Sequence, residues 1–431
     1  MLLPLLITAA AAIPADTLLV SGVVLLGEPI DEPTYVREEE SLPQRLPYDV
    51  YVSMPLPRSD SPGMPAHPTE PPAELGFTNW ELDRAVRSVE DEIFRGGFPG
   101  AAMAIGRWTT PVVERGIGRH DRSFGSFPVD PDHTIYDLAS LTKVVATTTA
   151  VMLLVEDGRM ELDAPVYRYL PSFSGGDKDR VTIRHLLSHN SGLPAWAQTS
   201  AGSPWESLAR AIATPLAREP GRRVEYSDIG FVVLWAAAEA AHGGSLDAML
   251  EERVFQPLQM WFTGFNPGAG CLRCAPTDPR DGYRGRVHDP IARHLGGITG
   301  NAGLFSTAHD LSRFAAMLVN GGVLDGVRVL RESTIRDFTR RQAGAGTRAL
   351  GWDTPDEDGR GAGGLVISRS AFGHTGFTGT SLWVDPERGT WTVLLSNRTY
   401  SPRGPNRMQA LRRELNDRVA VSVDAGRSAD R

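Results

Sequence analysis

The pattern of apolar and polar positions places predicted strands at both ends of one region. Apolar residues recur at helical spacing over residues 80–93, which predicts an amphipathic helix ahead of the first strands. Two apolar runs joined by a short turn then predict a hairpin, and four later runs predict further strands. The predicted strands cover residues 100–107, 112–118, 363–368, 372–377, 380–384 and 390–395.

Between these two sets of strands the pattern is mainly helical. Predicted helical segments there cover residues 144–155, 162–169, 182–188, 208–213, 231–241, 246–254 and 311–318, and a closing helix is predicted after the strands over residues 408–421. Strands at both ends with helices between them predict an α+β fold, in which an antiparallel sheet is flanked by helices and carries an inserted helical subdomain. We expect the globular domain to span residues 75–421, its helical subdomain residues 160–345, and residues 422–431 to form a loose tail.

The first 74 residues have a different character. Residues 1–27 are apolar and end their first run in small residues, which predicts a signal peptide or an N-terminal anchor. Residues 28–74 are rich in proline and acidic residues, a composition that buries too little apolar surface to fold, and they predict a disordered tether. We therefore expect export, either to the periplasm or with a membrane tether and the domain facing outward.

Composition narrows the function further. The chain has 431 residues, a net charge of −8 and no basic run, so no nucleic-acid partner is expected. Cys271 and Cys274 form one C-x-x-C without the second pair that a structural zinc site needs. Either a local disulfide or two free thiols would account for them. No metal and no cofactor is expected.

The start of the helix predicted over residues 144–155 carries the strongest chemical signal. That helix is apolar or threonine-rich on every side, which is typical of a buried helix. Ser140 and Lys143 precede it three residues apart, so they share a helix face, and a desolvated lysine that loses its proton could accept one from the serine. Lys143 is one of two lysines among 44 Lys and Arg residues, and arginine could not release its proton. The alternative is an N-cap serine with a lysine that extends to the surface.

Two other motifs allow both a structural and a chemical interpretation. Tyr226 precedes Ser227 and Asp228 at the start of a strongly apolar helix, where the phenol could shuttle a proton for Ser140 or simply be core beside a helix cap. His374 lies among glycines on a late predicted strand. Glycine within a strand marks a close approach of a ligand or another backbone, although a lone histidine is more often a hydrogen-bonded structural residue.

In this order the three motifs resemble those of the serine β-lactamases and penicillin-binding proteins, and in particular of the class C-like serine hydrolases. The resemblance covers residues 77–400 and extends to the runs 181–194 and 301–307. It implies that Ser140 is the nucleophile, Lys143 its proton partner and Tyr226 the general base, with the backbone N–H groups of Ser140 and Phe377 as the oxyanion hole. Further catalytic or substrate-binding residues implied by the resemblance are Asp228, His288, His374, Thr375 and Gly376.

Two residues depart from the family pattern. Asp228 stands where many members have asparagine, and its charge should push the pKa of Lys143 back up. His374 replaces a lysine that usually binds the substrate's carboxylate, and would carry a positive charge only below its ordinary pKa of about 6.5. The implied function is hydrolysis of an amide or ester through an acyl-enzyme, with a small-molecule or muropeptide substrate derived from peptidoglycan favoured. A broad carboxylesterase, or a weak β-lactamase or β-lactam sensor, is the alternative.

Overall fold

The computed structural model describes residues 71–279, 284–400 and 402–429. The predicted signal peptide or anchor and nearly all of the predicted tether lie outside these residues. In chain order the helices and strands are α1 (Asn79–Phe94), β1 (Gly100–Arg107), β2 (Thr110–Gly118), β3 (Tyr136–Asp137), α2 (Thr149–Glu156), α3 (Ile183–Leu187), α4 (Pro204–Ala213), α5 (Asp228–His242), α6 (Leu246–Leu250), β4 (Gly264–Phe265), α7 (Pro290–His294), β5 (Leu304–Ser306), α8 (Ala308–Val319), β6 (Val323–Leu324), β7 (Val327–Arg328), α9 (Glu332–Thr339), β8 (Phe372–Thr375), β9 (Ser381–Asp385), β10 (Thr390–Ser396) and α10 (Met408–Ala429).

A five-stranded antiparallel sheet in the order β2-β1-β10-β9-β8 forms the centre of the domain. Strands from the two ends of the domain meet where β1 pairs with β10. Alternate residues of β1 enter different cores: Met103 and Ile105 pack with α1 and α10, whereas Ala102 and Ala104 pack with the helical part of the chain. The predicted α+β fold, an antiparallel sheet flanked by helices, is thus confirmed.

The predicted buried helix has three parts. A 3₁₀ turn (Ala139–Leu141) leads into a π-helical turn (Lys143–Thr148), and α2 continues from it. The Thr149 hydroxyl donates to the Val144 carbonyl five residues earlier, at 2.9 Å. The segment Ala139–Glu156 is long and apolar enough to cross a membrane, but 83% of it is buried inside the domain. It is therefore the core helix of the fold.

The strand predicted over residues 363–368 is absent. Carboxylate side chains accept the backbone N–H groups that would have paired with a neighbouring strand. The N–H groups of Leu365 and Val366 both donate to Asp417 Oδ1 at 2.8 Å, and the Ser368 N–H donates to Asp385 Oδ2 at 2.9 Å. A second, short sheet in the order β3-β5-β4 joins Tyr136–Asp137 to the helical part of the chain, and apolar patterning could not reveal it because its strands are two or three residues long.

The prediction of a loose tail after residue 421 is wrong for the part that the structure describes. Helix α10 continues to Ala429, and its residues Ser422 and Val423 are fully buried. The Ser422 hydroxyl donates to the Thr78 carbonyl and accepts from the Thr78 N–H, each at 2.9 Å. Packing on the start of α1 therefore holds the second half of α10 in place.

The domain begins slightly before its predicted boundary, because Pro72–Leu75 form a 3₁₀ turn and the Arg107 guanidinium donates to the Leu75 carbonyl. A chain that begins at Pro71 should keep its Tm and kcat. A chain that begins at Thr78 loses Phe77, which is 3% exposed, and should lose about 3–5 kcal/mol, the range for truncating a buried phenylalanine. Urea unfolding followed by circular dichroism measures the free energy of unfolding, and thermal melting and a turnover assay measure Tm and kcat. A lower Tm for the chain that begins at Pro71 than for the full-length protein would mean that residues 1–70 pack on the domain.

Candidate active site

Ser140 lies on the tight turn between β3 and the core helix. Ala139, just before it, has φ +47°, a left-handed conformation that a non-glycine residue adopts at a cost of about 1–3 kcal/mol. The buried Asp137 carboxylate holds this turn by accepting the Ala139 N–H at 2.9 Å, and it accepts the His288 N–H at 2.7 Å. Burial raises the pKa of Asp137 to about 6, although both N–H groups oppose the shift. One carboxylate thus fixes Ser140 and the loop of His288 together.

Lys143 is fully buried behind Ser140. Its Nζ donates to Ser140 Oγ at 3.2 Å, to Asp228 Oδ1 at 2.6 Å and to the Asn301 carbonyl at 2.8 Å. An ammonium group has three protons, so these bonds use all of them. The spacing seen in the sequence therefore brings hydroxyl and amine together, and the alternative in which Lys143 reaches the surface is wrong.

The charge of Lys143 differs from the expectation of a desolvated, neutral amine. Burial by itself lowers the pKa of Lys143, but the Asp228 carboxylate, with a smaller contribution from Tyr226, outweighs it and raises the pKa above its ordinary value. The upward effect of Asp228 anticipated from the sequence is thus present and, together with that of Tyr226, exceeds the effect of burial. At rest the site holds an ammonium–carboxylate pair.

Tyr226 lines the cavity and lies immediately before Ser227, the cap of α5. Lys143 and Ser140 are the polar neighbours of its phenol, and Lys143 Nζ lies 4.8 Å from the centre of its ring. Burial raises the pKa of Tyr226 although Lys143 opposes this, so the resting phenol keeps its proton. The helix cap is Ser227, whose hydroxyl accepts the Gly230 N–H at 2.9 Å, and Tyr226 and Asp228 are left to face the cavity.

The end of β8 packs directly on the turn of Ser140. A Cβ at Gly376 would lie 2.4 Å from the Leu138 carbonyl oxygen, so only glycine allows this approach. Among the described residues, no acceptor pairs with the N–H of Ser140 or with that of Phe377, the residue after Gly376. Two unpaired N–H groups at the junction of turn and strand are the composition of an oxyanion hole.

His374 lies beside this junction, but it is not a cation. It is 4% exposed, and its Nδ1 donates to the Thr375 carbonyl at 2.9 Å. Burial, reinforced by Arg348 and Lys143, lowers the pKa of His374 well below its ordinary value. The expectation of an imidazolium that binds a carboxylate below pH 6.5 is therefore wrong, since the ring stays neutral there.

The cavity in front of Ser140 has a volume of about 600 Å³. The residues predicted to bind substrate, Asp228, His288, Thr375 and Gly376, all line it. Phe377 is 61% exposed at its edge, and the His288 ring stacks on it with centroids 5.7 Å apart. The roles implied by the family resemblance stay predictions, but the residues that carry them meet in one place.

Three arginines that sequence reasoning missed also line the cavity. Arg348 lies 5.3 Å from the Tyr226 ring centre and pairs with Asp353 at 3.6 Å. Arg412 donates to the Gly376 and Thr380 carbonyls at 2.8 and 2.7 Å.

Arg398 lies over the Phe377 ring at 4.5 Å, and its guanidinium has no hydrogen-bond or ion-pair partner among the described residues. These three arginines come from separate loops and a helix, so no local motif could have signalled them. Arg398 leaves the cavity with a permanent cation that is free to bind an anion.

Cys271 and Cys274 form a disulfide, which settles the alternative that the sequence left open. The backbone of Cys274 forms an isolated parallel β-bridge with Ile135, two residues before Asp137. The disulfide therefore lies beside the strand that leads to Asp137 and to the turn of Ser140.

Comparison with known proteins places these features in context. The Beta-lactamase family model matches residues 82–417. A Salmonella schwarzengrund protein named "Putative D-alanyl-D-alanine carboxypeptidase" is 31% identical over 384 residues, covering 78% of this chain and 87% of that protein, and a Salmonella typhi protein of the same name matches equally.

Solved structures share the fold. EstCE1, described as a hydrolase with promiscuous acyltransferase activity, matches with a TM-score of 0.64 and 23% identity, covering 79% of this chain and 98% of its own. A penicillin-binding protein homologue from Caulobacter crescentus matches with a TM-score of 0.65 and 21% identity, covering 79% and 97%. At these identities the likeness is one of fold.

Proposed function

The chain belongs to the beta-lactamase family and is a serine hydrolase, and from that premise we propose that it cleaves the terminal amide of peptidoglycan-derived peptides that end in a D-alanine carboxylate. The observation that carries the proposal is the position of Arg398, an unpaired cation lining the cavity that Ser140 also lines. The name of the Salmonella relatives supports the same substrate class.

The reaction begins when Ser140 Oγ attacks the carbonyl of the bond to be cleaved. Tyr226 relays the proton of this hydroxyl: its phenol gives its own proton to the departing amine and receives the Ser140 proton in its place, while the Lys143 ammonium, 3.2 Å from Ser140 Oγ, stabilises the charge that develops. The N–H groups of Ser140 and Phe377 stabilise the negative oxygen, with about 3–4 kcal/mol for one such donor. The result is an acyl-enzyme on Ser140, which water then hydrolyses.

Export is part of the proposal. A disulfide persists in an oxidising compartment and is rare in a reducing cytosol, so the Cys271–Cys274 bond supports the periplasmic or outward-facing location expected from residues 1–27. The peptidoglycan substrate would be met in that compartment.

A comparison of three substrate classes tests the proposal. The enzyme is incubated with a muropeptide ending in D-Ala-D-Ala, with p-nitrophenyl acetate and with benzylpenicillin, and products and the intact protein mass are followed with time. Catalytic release of D-alanine at a higher kcat/KM than that for the ester is expected. Faster turnover of the ester would favour a carboxylesterase, and a stable penicillin adduct without peptide turnover would favour a β-lactam sensor.

Arg398→Gln should separate charged from neutral substrates. Hydrogen bonds to charged groups contribute about 1.5–3 kcal/mol, so kcat/KM for the carboxylate-ended peptide should fall about 10- to 100-fold. The neutral ester should change less than about 2-fold. Both ratios should be constant from pH 5.5 to 8.5, because arginine stays charged and His374 stays neutral over that range. An equal loss for both substrates would show that Arg398 supports the cavity without reading a carboxylate.

A further inference from the structure

Hydrolysis of an acyl-enzyme needs a base that can reach water, and this cavity offers one outside the Ser140, Lys143 and Tyr226 group. We propose that Asp228 is this base: its carboxylate removes a proton from the water that attacks the acyl-Ser140 ester. The inference rests on the proposed function, since it concerns the second half of that reaction.

The position of Asp228 fits this role. It is the first residue of α5, and its N–H donates to the Ala195 carbonyl at 3.0 Å, which fixes the backbone. Oδ1 accepts from Lys143 at 2.6 Å, and among the described residues Oδ2 has no hydrogen-bond partner. The side chain is 25% exposed and lines the cavity. One carboxylate oxygen is thus held by the lysine, and the other is available to a water molecule in the cavity.

The neighbouring groups are less suited to the task. Lys143 uses three protons in three hydrogen bonds and has no lone pair to offer, and the phenol of Tyr226 keeps its proton. The Nε2 atom of His374 is buried away from solvent. Asp289 accepts from the Ala292 N–H and from Asn301 through one oxygen, Oδ1, at 2.8 and 3.0 Å, but burial raises its pKa and, unlike Asp228, it has no hydrogen bond with Lys143 through which a proton could return. Of these groups, the Asp228 carboxylate combines an unprotonated oxygen with access to the cavity.

Asp228 and Lys143 together account for every proton moved during deacylation. As water attacks the acyl carbon, one of its protons moves to Asp228. The bond between the acyl carbon and Ser140 Oγ then breaks, and Lys143 donates a proton to that oxygen across the 3.2 Å contact. Asp228 returns its proton to Lys143 across the 2.6 Å contact, which restores the ammonium–carboxylate pair and releases the carboxylic acid. No other reactant is needed.

Asp228→Asn tests this step separately from acylation. The amide keeps a hydrogen bond with Lys143 but cannot accept a proton, and loss of the carboxylate lets the buried lysine become neutral and serve acylation directly. With p-nitrophenyl acetate we expect a burst of one p-nitrophenolate per enzyme, followed by turnover at least about 100-fold slower than wild type, because general bases contribute about 10²–10⁴-fold. Intact mass should show an acetyl group on Ser140.

Hydroxylamine, which attacks an ester without a protein base, should restore turnover in this variant. Asp157→Asn is the matched control, since Asp157 pairs with Arg253 at 2.5 Å outside the cavity and should show no burst. If the asparagine variant folds poorly, Asp228→Glu is the second variant to test. Its carboxylate can still accept a proton, so it should keep part of the deacylation rate. Loss of burst and turnover together in a folded Asp228→Asn protein would overturn the proposal and limit Asp228 to holding Lys143. Failure of the proposed function would look different, because wild type would then release no D-alanine whatever Asp228 does.

Discussion

Ser140→Ala is expected to lower kcat about 10⁴-fold or more and to abolish covalent labelling. Removal of a nucleophile eliminates the acyl-enzyme, and only the weak catalysis of an oxyanion hole and substrate binding remains. The substituted side chain is small and partly exposed, so the fold should be kept. Turnover of p-nitrophenyl acetate gives the first quantity, and a fluorophosphonate probe located by peptide mass spectrometry gives the second.

Ser245→Ala is a suitable control for that experiment. Ser245 caps α6 by accepting the Ala248 N–H at 3.2 Å and lies outside the cavity, so its loss should leave kcat and labelling unchanged. A probe adduct on another residue, or turnover near wild type in the Ser140 variant, would sink the acyl-enzyme mechanism.

Lys143→Arg is expected to be nearly as damaging, with kcat reduced about 10²–10⁴-fold. Arginine keeps the positive charge but cannot release its proton, and its planar guanidinium does not fit a fully buried site shaped for three bonds of 2.6 to 3.2 Å. The acylation rate should fall although the protein remains folded with little change in Tm. Burst kinetics measures the acylation rate, and thermal melting measures the Tm.

The chain contains its own control for this substitution. Lys178 is the only other lysine, and it lies in a short 3₁₀ segment (Gly176–Arg180), where its Nζ donates to the Ile212 carbonyl at 2.8 Å. Lys178→Arg should keep kcat within about 2-fold. Equal losses in both variants would mean that arginine disturbs the fold generally, and retained activity in Lys143→Arg would remove proton transfer from the role of Lys143.

The sequence predicted the site where chemistry depends on local spacing. Ser140 and Lys143 are one turn apart, and Tyr226 begins the next strongly apolar helix, so pattern and family resemblance were enough to bring them together. Protonation was harder to predict, because the pKa of Lys143 depends on a carboxylate 85 residues away and that of His374 on its burial. Those properties exist only after the chain has folded.

In the fold, too, features set by local patterning were predicted, and features set by tertiary contacts were missed. Alternating apolar residues predicted most strands of the main sheet, and their placement at both ends of the domain predicted one shared sheet. Residues 363–368 have the composition of a strand, yet Asp417 satisfies two of their N–H groups from α10. The cavity arginines were missed for a related reason, since Arg348, Arg398 and Arg412 become neighbours only through tertiary packing.

Helix α10 also sets the distance between the cavity and the start of the domain, where a fused partner would be attached. Its first turns line the cavity through Met408 and Arg412, whereas Ser422 meets Thr78 at the beginning of the domain. The 14 residue-to-residue steps from Met408 to Ser422 correspond to about 21 Å of helix. A fusion partner or a surface joined ahead of Pro71 would therefore be attached about 21 Å along α10 from the substrate opening.

The two ends of the domain also lie side by side, so a short linker could join them and new termini could be opened at the exposed Gly175 and Gly176, giving a circular permutant with the cavity unchanged.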